Sequence, residues 1–367
     1  MDRSNSYRVP GREIVMKKRC IAVLMCIILT AMMLSSCNTK DQHEDKNESE
    51  EEKELRIGIT FDTFVLERWT RDRDVFVSTA EKLGASVDVQ NANGDVEKQK
   101  EQIQKFIEDD MDVIVNVAVD CFEITEEVTK ARNAGIDVIS YDRLIQECTT
   151  DLYITVDNEA VGELMAETMN ENLPEGGNVV MLCGPEMDTN SADVVNGFKK
   201  GIEQSSLTVV KEIYVKSWTP ENGFAAANEA LSDAEDVDAV MCGNDGLAGY
   251  AIKALSEKQL AGKVVVTGQD ADLEACQRVV EGTQTMTVYK PIERLAKVAA
   301  QCAVKMAKGE AVVGEKVGRT TTKKTQDGYE VPYWALPPIA VTTENMDDVI
   351  IDLGFHLRDE VYLNVDK

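Results

Sequence analysis

The residue types best suited to catalysis are scarce in this chain. Only two histidines occur, His43 in an acidic run and His356 near the C-terminus. A histidine-based triad or a histidine-rich metal site therefore has little material. Nine cysteines are present, and none forms a CxxC pair. Cys183 and Cys242 close apolar runs and read as core residues, and Cys121, Cys148, Cys276 and Cys302 suggest no pairing, so no structurally required disulfide is expected. The 66 acidic residues would supply an acid/base pair, but no nucleophile, metal cluster or phosphate loop accompanies them. These features point to a protein that binds rather than converts, without cofactor or metal. A formal charge of −27, from 39 basic against 66 acidic residues, would repel phosphate backbones and excludes nucleic acid as a partner.

The elements that must position any site alternate strictly. From Leu55, β-branched runs alternate with amphipathic stretches: strand Leu55 to Thr60, helix Trp69 to Leu83, strand Ser86 to Gln90, helix Asp95 to Glu108 and strand Asp112 to Val117. Helix Thr125 to Asn133, strands Asp137 to Tyr141 and Leu152 to Val156, and helix Asn158 to Asn172 continue the pattern. It restarts with strand Asn178 to Cys183 and helix Asn190 to Gln204. Strand Thr208 to Val215, helix Pro220 to Ser232, strand Asp238 to Cys242, helix Gly246 to Ser256 and strand Lys263 to Thr267 follow. Helix Ala271 to Val279, strand Gln284 to Val288 and a helix from Pro291 to Lys308 complete it. Both the alternation and the length of 367 residues predict an α/β protein of two doubly wound, Rossmann-like lobes. The last helix could pack on either lobe.

The N-terminus reads as an address. Lys17, Lys18 and Arg19 precede an apolar run from Cys20 to Leu34 that is too short to span a bilayer. Leu34-Ser35-Ser36-Cys37 resembles the bacterial lipobox, which makes Cys37 the lipid-attachment residue and residues 1–37 a signal peptide, with Met16 a possible true start. Two acyl chains on one cysteine meet the requirement for stable anchoring. Residues 38–54, with eight acidic residues and three lysines, read as a disordered tether that holds the folded body off the membrane.

Several strings at strand ends then carry a resemblance. Glu67-Arg68-Trp69, Gln90-Asn91-Ala92-Asn93-Gly94, Tyr141-Asp142-Arg143, Val156-Asp157-Asn158-Glu159, Trp218 with Pro220-Glu221-Asn222, Gly243-Asn244-Asp245, Gly268-Gln269-Asp270-Ala271-Asp272 and Gly282 through Pro291 resemble the bacterial D-xylose-binding proteins of the periplasmic binding protein type I superfamily. The likeness runs from Leu55 to about Lys308. It implies two Rossmann-like lobes joined by a hinge of three crossovers, near Asp157, Lys290 and a segment after about Gly318. The N-terminal lobe would then hold 55–157 plus 291–320, and the C-terminal lobe 158–290 plus 321–367. It further implies a monomeric sugar receptor outside the cytoplasm, lipid-anchored to the membrane, whose partners are a monosaccharide and the permease of an ABC importer.

By the same resemblance, Arg68, Arg143, Asp188, Asn190, Asn244, Asp270 and Lys290 form a polar ring for the sugar hydroxyls, with Trp69 and Trp218 covering its apolar faces. Around Asp188 and Asn190 the string Gly184-Pro185-Glu186 departs from the family pattern. Plainer readings stand beside these. Asp142 could be the salt-bridge partner of Arg143, Asp270 and Asp272 could be helix caps, and Trp218 could simply pack in the second lobe. Ribose, arabinose, glucose or galactose remain rival ligands. A transcriptional repressor of the same fold lacks support, since no helix-turn-helix precedes Leu55.

Overall fold

The computed structural model describes residues 54–232, 236–312 and 321–365. The signal segment, Cys37, nearly all of the tether and Gly318 lie outside these described residues.

The first lobe runs β1 (Leu55–Phe61), α1 (Glu67–Lys82), β2 (Ala85–Asn91), α2 (Val96–Glu108), β3 (Val113–Asn116), α3 (Thr125–Asn133), β4 (Asp137–Tyr141) and β5 (Leu152–Val156). These strands pair in parallel in the order β2-β1-β3-β4-β5. A parallel sheet covered on both faces needs apolar residues on both sides of each strand. Along β3 the side chains divide accordingly, with Val113 and Val115 joining one core cluster and Ile114 the other. At Gly58 in β1 a Cβ would lie 2.7 Å from the Phe106 ring, so α2 packs against this strand only because no side chain intervenes.

The second lobe runs α4 (Asn158–Asn172), β6 (Gly177–Cys183), α5 (Thr189–Ile202), β7 (Leu207–Tyr214), α6 (Pro220–Ala230), β8 (Ala239–Cys242), α7 (Asp245–Glu257), β9 (Val265–Thr267), α8 (Leu273–Glu281) and β10 (Thr287–Tyr289). Its sheet has the order β7-β6-β8-β9, also parallel, and a bridge from Thr267 to Met286 extends it toward β10. Val180 and Leu182 of β6 face the cluster built with α6 and α7, while Val179, Met181 and Cys183 face the other way.

Helix α9 (Ile292–Ala307) settles on the first lobe, against α1 and strands β1, β3, β4 and β5. The expected boundary at 321 does not hold. β11 (Thr321–Lys324) and β12 (Glu330–Leu336) belong to the first sheet, where β12 runs parallel to β5 with Tyr333 opposite Tyr153 and Leu336 opposite Val156. This pairing satisfies the backbone edge of β5 and buries Val331, Trp334 and Leu336. The third crossover is therefore Pro337-Pro338, after which β13 (Ile339–Val341) pairs with β10 in the second lobe. A second difference is the start of α8 at Leu273 rather than Ala271. Asp270 and Ala271 hold φ values of 104° and 54°, which a right-handed helix cannot accept.

Candidate ligand-binding site

In each sheet the chain leaves adjacent strands in opposite directions, at β1/β3 in the first lobe and β6/β8 in the second. Loops at the carboxyl ends of such strands diverge and leave a crevice. Every side chain expected to bind lies on one of these loops, in the first turn of the helix that follows, or at a crossover, and all nine line one small cavity of about 30 Å³.

On the first-lobe side, Arg68 and Trp69 occupy the opening turn of α1. Arg68 is 5 % exposed and donates to Asp142 Oδ1 at 2.8 Å and to Asp72 Oδ2, one turn further on, at 3.5 Å. The Tyr141 hydroxyl donates to Asp72 in turn. Burial alone would lower the Arg68 pKa, but Asp142, Asp72 and Asp270 outweigh it and hold the guanidinium charged. Arg143 follows the same plan. Its Nη1 donates to Asp62 Oδ2 at 2.7 Å and to the Ala118 carbonyl at 2.6 Å. Burial again opposes its charge, and Asp188 and Asp62 restore it. The Trp69 indole, 1 % exposed, lies beneath both cations, with Arg68 4.2 Å and Arg143 5.8 Å from the ring centroid.

The second lobe presents its groups from helix starts. Asp188 caps α5 by accepting from Asn190 N at 3.0 Å, and its Oδ2 also accepts from Trp218 Nε1 at 3.0 Å and lies 3.0 Å from Arg143 Nε. Trp218 comes this close because Gly184 has no side chain, since a Cβ there would sit 2.3 Å from the indole. Asn244 caps α7, its Oδ1 accepting from Leu247 N at 2.9 Å. Asp270 is no cap. Its Oδ1 lies 3.0 Å from Lys290 Nζ and 3.9 Å from Arg68 Nη1, while Asp272 takes the N-cap position of α8. Lys290 is only 4 % exposed at the second crossover.

Asp142, left as a partner for Arg143 by the sequence, instead binds Arg68 and accepts from Asn190 Nδ2 at 2.9 Å. Burial would raise its pKa, yet Arg68, Lys290 and Arg143 together lower it. It lines the cavity, as do Leu66, Ser191 and Gln269. Trp69 Nε1, Ser191 Oγ and Gln269 Oε1 are buried without a hydrogen-bond partner among the described residues. Asp72 and Asp62 were also missed. The four-residue spacing of Arg68 and Asp72 on a helix start was a readable signal for the first; Asp62, distant in sequence from Arg143, offered none.

The cavity wall thus carries three cations, Arg68, Arg143 and Lys290, and three carboxylates, Asp142, Asp188 and Asp270. The profile described as a periplasmic binding protein domain matches residues 57–311. The chain belongs to the periplasmic binding proteins. The D-xylose-binding periplasmic protein of Haemophilus influenzae is 40 % identical over 315 residues, covering 84 % of this chain and 93 % of that protein. The D-xylose-binding periplasmic protein of Escherichia coli K12 is 40 % identical over 314 residues, with the same coverage of 84 % and 93 %. An ABC transporter solute binding protein from Clostridium phytofermentans, solved with bound β-D-glucose, superposes with a TM-score of 0.75 at 24 % identity, covering 83 % of this chain and 99 % of that one. That likeness shows the shared fold. As a periplasmic binding protein, the chain is a substrate-binding receptor and not an enzyme.

Proposed function

We propose that this receptor closes its two lobes over a monosaccharide, D-xylose in the first instance, and delivers it to the permease of an ABC importer. The observation that carries the reading is the balanced wall, three cations against three carboxylates, interleaved with amides and two indoles. With Asp62 and Asp72 paired behind the wall to Arg143 and Arg68, the buried site holds no surplus positive charge, so a phosphate or carboxylate would add an uncompensated charge at low dielectric and a neutral ligand is favoured. A sugar offers hydroxyls that both donate and accept, which matches a ring holding both kinds of partner. The indoles suit its C–H faces. The identity of about two-fifths to the two D-xylose-binding relatives supports the pentose over other sugars.

Closure follows from how the walls meet. Arg143 of one lobe pairs with Asp188 of the other at 3.0 Å, and Arg68 approaches Asp270 to 3.9 Å. Only a closed form makes these pairs, so a ligand bound by both walls shifts the balance toward it. In this reading the receptor works as a monomer, anchored through a lipid on Cys37 to the outer face of the cell membrane, with the tether holding the folded body off the surface.

Calorimetric titration of the purified protein tests the assignment. D-xylose is expected to bind one-to-one, more tightly than ribose, arabinose, glucose or galactose, with no heat from D-xylose 5-phosphate. Tighter binding of another neutral sugar replaces D-xylose and keeps the receptor. Preferential binding of the phosphate ester removes the charge-balance argument altogether.

A further inference from the structure

We propose that Asp245 is a positioning residue for this site: its buried carboxylate fixes the turn from Gln269 to Asp272 and thereby aims Asp270 at Lys290 and Arg68. The inference rests on reading the cavity as the sugar site, in which Asp270 is the carboxylate shared by two cations.

The turn needs an external support. Asp270 and Ala271 both hold positive φ, a conformation that non-glycine residues adopt only when the surroundings impose it. Four contacts impose it here. Asp270 N donates to Val288 O at 2.9 Å, and Asp245 N donates to Gln269 O at 2.9 Å. Ala271 N donates to Thr287 Oγ1 at 3.1 Å, and that hydroxyl donates onward to Asp245 Oδ2 at 2.7 Å. Asp272 N donates directly to the same Oδ2 at 3.1 Å. One carboxylate oxygen thus gathers two consecutive amides of the turn, one of them through the threonine.

The other oxygen, Oδ1, accepts from Gln284 Nε2 at 2.8 Å, and Arg278 Nε donates to that glutamine's Oε1 at 3.0 Å. Asp245 is 1 % exposed and is not among the residues lining the cavity. Its burial raises its pKa, against the opposing pull of Thr287, Arg278 and Gln284. Gly268 shows how closely the turn is fitted to it, since a Cβ there would lie 2.3 Å from Asp245 Oδ1. A solvated cap would need neither the glycine nor the relay.

The test compares Thr287→Val, which removes the hydroxyl at constant shape, with Thr287→Ser, which keeps it, and adds Asp245→Asn. Each is made in the wild-type and the Asp270→Asn background and titrated with D-xylose. Thr287→Val and Asp245→Asn are expected to raise Kd at least tenfold, and Thr287→Ser less than threefold. In the Asp270→Asn background the same changes should add less than threefold, because the group they aim is already altered. Equal effects in both backgrounds, or wild-type affinity for Thr287→Val, overturn the proposal. Hydrogen exchange of the 270–272 amides in the ligand-free protein needs no sugar, so it separates this idea from the ligand assignment. If the wild type ignores D-xylose, the ligand reading fails alone, and Asp245 is then judged by these amides. Protection at least tenfold lower in Thr287→Val than in Thr287→Ser upholds the proposal; unchanged protection ends it.

Discussion

On the first-lobe wall of the cavity, charged side chains are held by other charged side chains: Asp72 and Asp142 grip Arg68, and Asp62 grips Arg143. On the facing wall the same task falls to helix starts and backbone. Asp188 caps α5, Asn244 caps α7, and Asp270 rides a turn just ahead of α8. The difference is one of what is left behind when a group is removed. A buried cation taken from the first wall strands several carboxylates away from water, whereas the Asn244 cap taken from the second leaves one neutral backbone amide, that of Leu247, without its acceptor. Helix N-termini also present the positive end of the peptide dipoles, which suits the carboxylates and amides of that wall. The pairs Arg143–Asp188 and Arg68–Asp270 let the walls attract across the gap.

The strongest test of this contrast sets Arg68→Ala against Asn244→Ala. Arg68→Ala leaves Asp72, Asp142 and Asp270 without their common cation, and breaking a buried pair from one side costs about 3–5 kcal/mol. D-xylose binding should fall at least a hundredfold in the same variant. Asn244→Ala should lose about 1 kcal/mol of stability, the ordinary worth of a cap, while still weakening the sugar. Urea unfolding and calorimetry on both variants decide the matter. Equal losses of stability would erase the distinction between the walls.

The same contrast explains how far the sequence could be read. Strands such as Val113–Asn116 and Ala239–Cys242 are apolar on both faces and bounded by turns, so the alternation of two lobes was legible. β12 was not, because Pro332 within it and Pro337-Pro338 after it read against a strand. It is tolerated since Pro332 lies opposite Thr322 in a short antiparallel pairing at the sheet edge. For the site, resemblance named side chains that the fold does gather. It could not supply the partners that hold them, because Asp62 and Arg143 are brought together only by tertiary packing. Nor could it show that Asp270 sits at a positive φ, since nothing in Gln269-Asp270-Ala271 replaces the glycine such a turn would ordinarily use.

A pH titration of stability sharpens the view of the first wall. Burial raises the Asp72 carboxyl from 3.8 to about 6, against the opposing effects of Arg68 and the Tyr141 hydroxyl. A folded-state pKa above the unfolded one means that the folded protein binds the proton more tightly. The stability this gives is fully present below pH 3.8 and is lost as pH rises through about 6. At about 1.4 kcal/mol per unit, the loss amounts to roughly 3 kcal/mol at most. Asp72→Asn should abolish it, so the stability of wild type relative to this variant should decline between pH 4 and 7. A flat difference across that range would place Asp72 in a better solvated setting than the buried wall provides.

The smallest effect is expected where the lobes touch outside the cavity. Lys323 of β11 and Asp193 of α5 form an ion pair across the lobes at 3.1 Å, with side chains 31 % and 23 % exposed. Burial raises the Asp193 pKa despite Lys323, so the carboxylate gains little from being held there. Partial exposure and screening limit such a pair to about 0–1 kcal/mol. Because the pair exists only when the lobes are closed, Lys323→Ala should act on the open–closed balance. D-xylose should then dissociate a few-fold faster at low salt, with the difference fading toward 0.5 M salt, where the screening length falls to about 4 Å. A loss as large as that of Arg68→Ala would mean that closure is governed at this rim and not by the walls that grip the ligand.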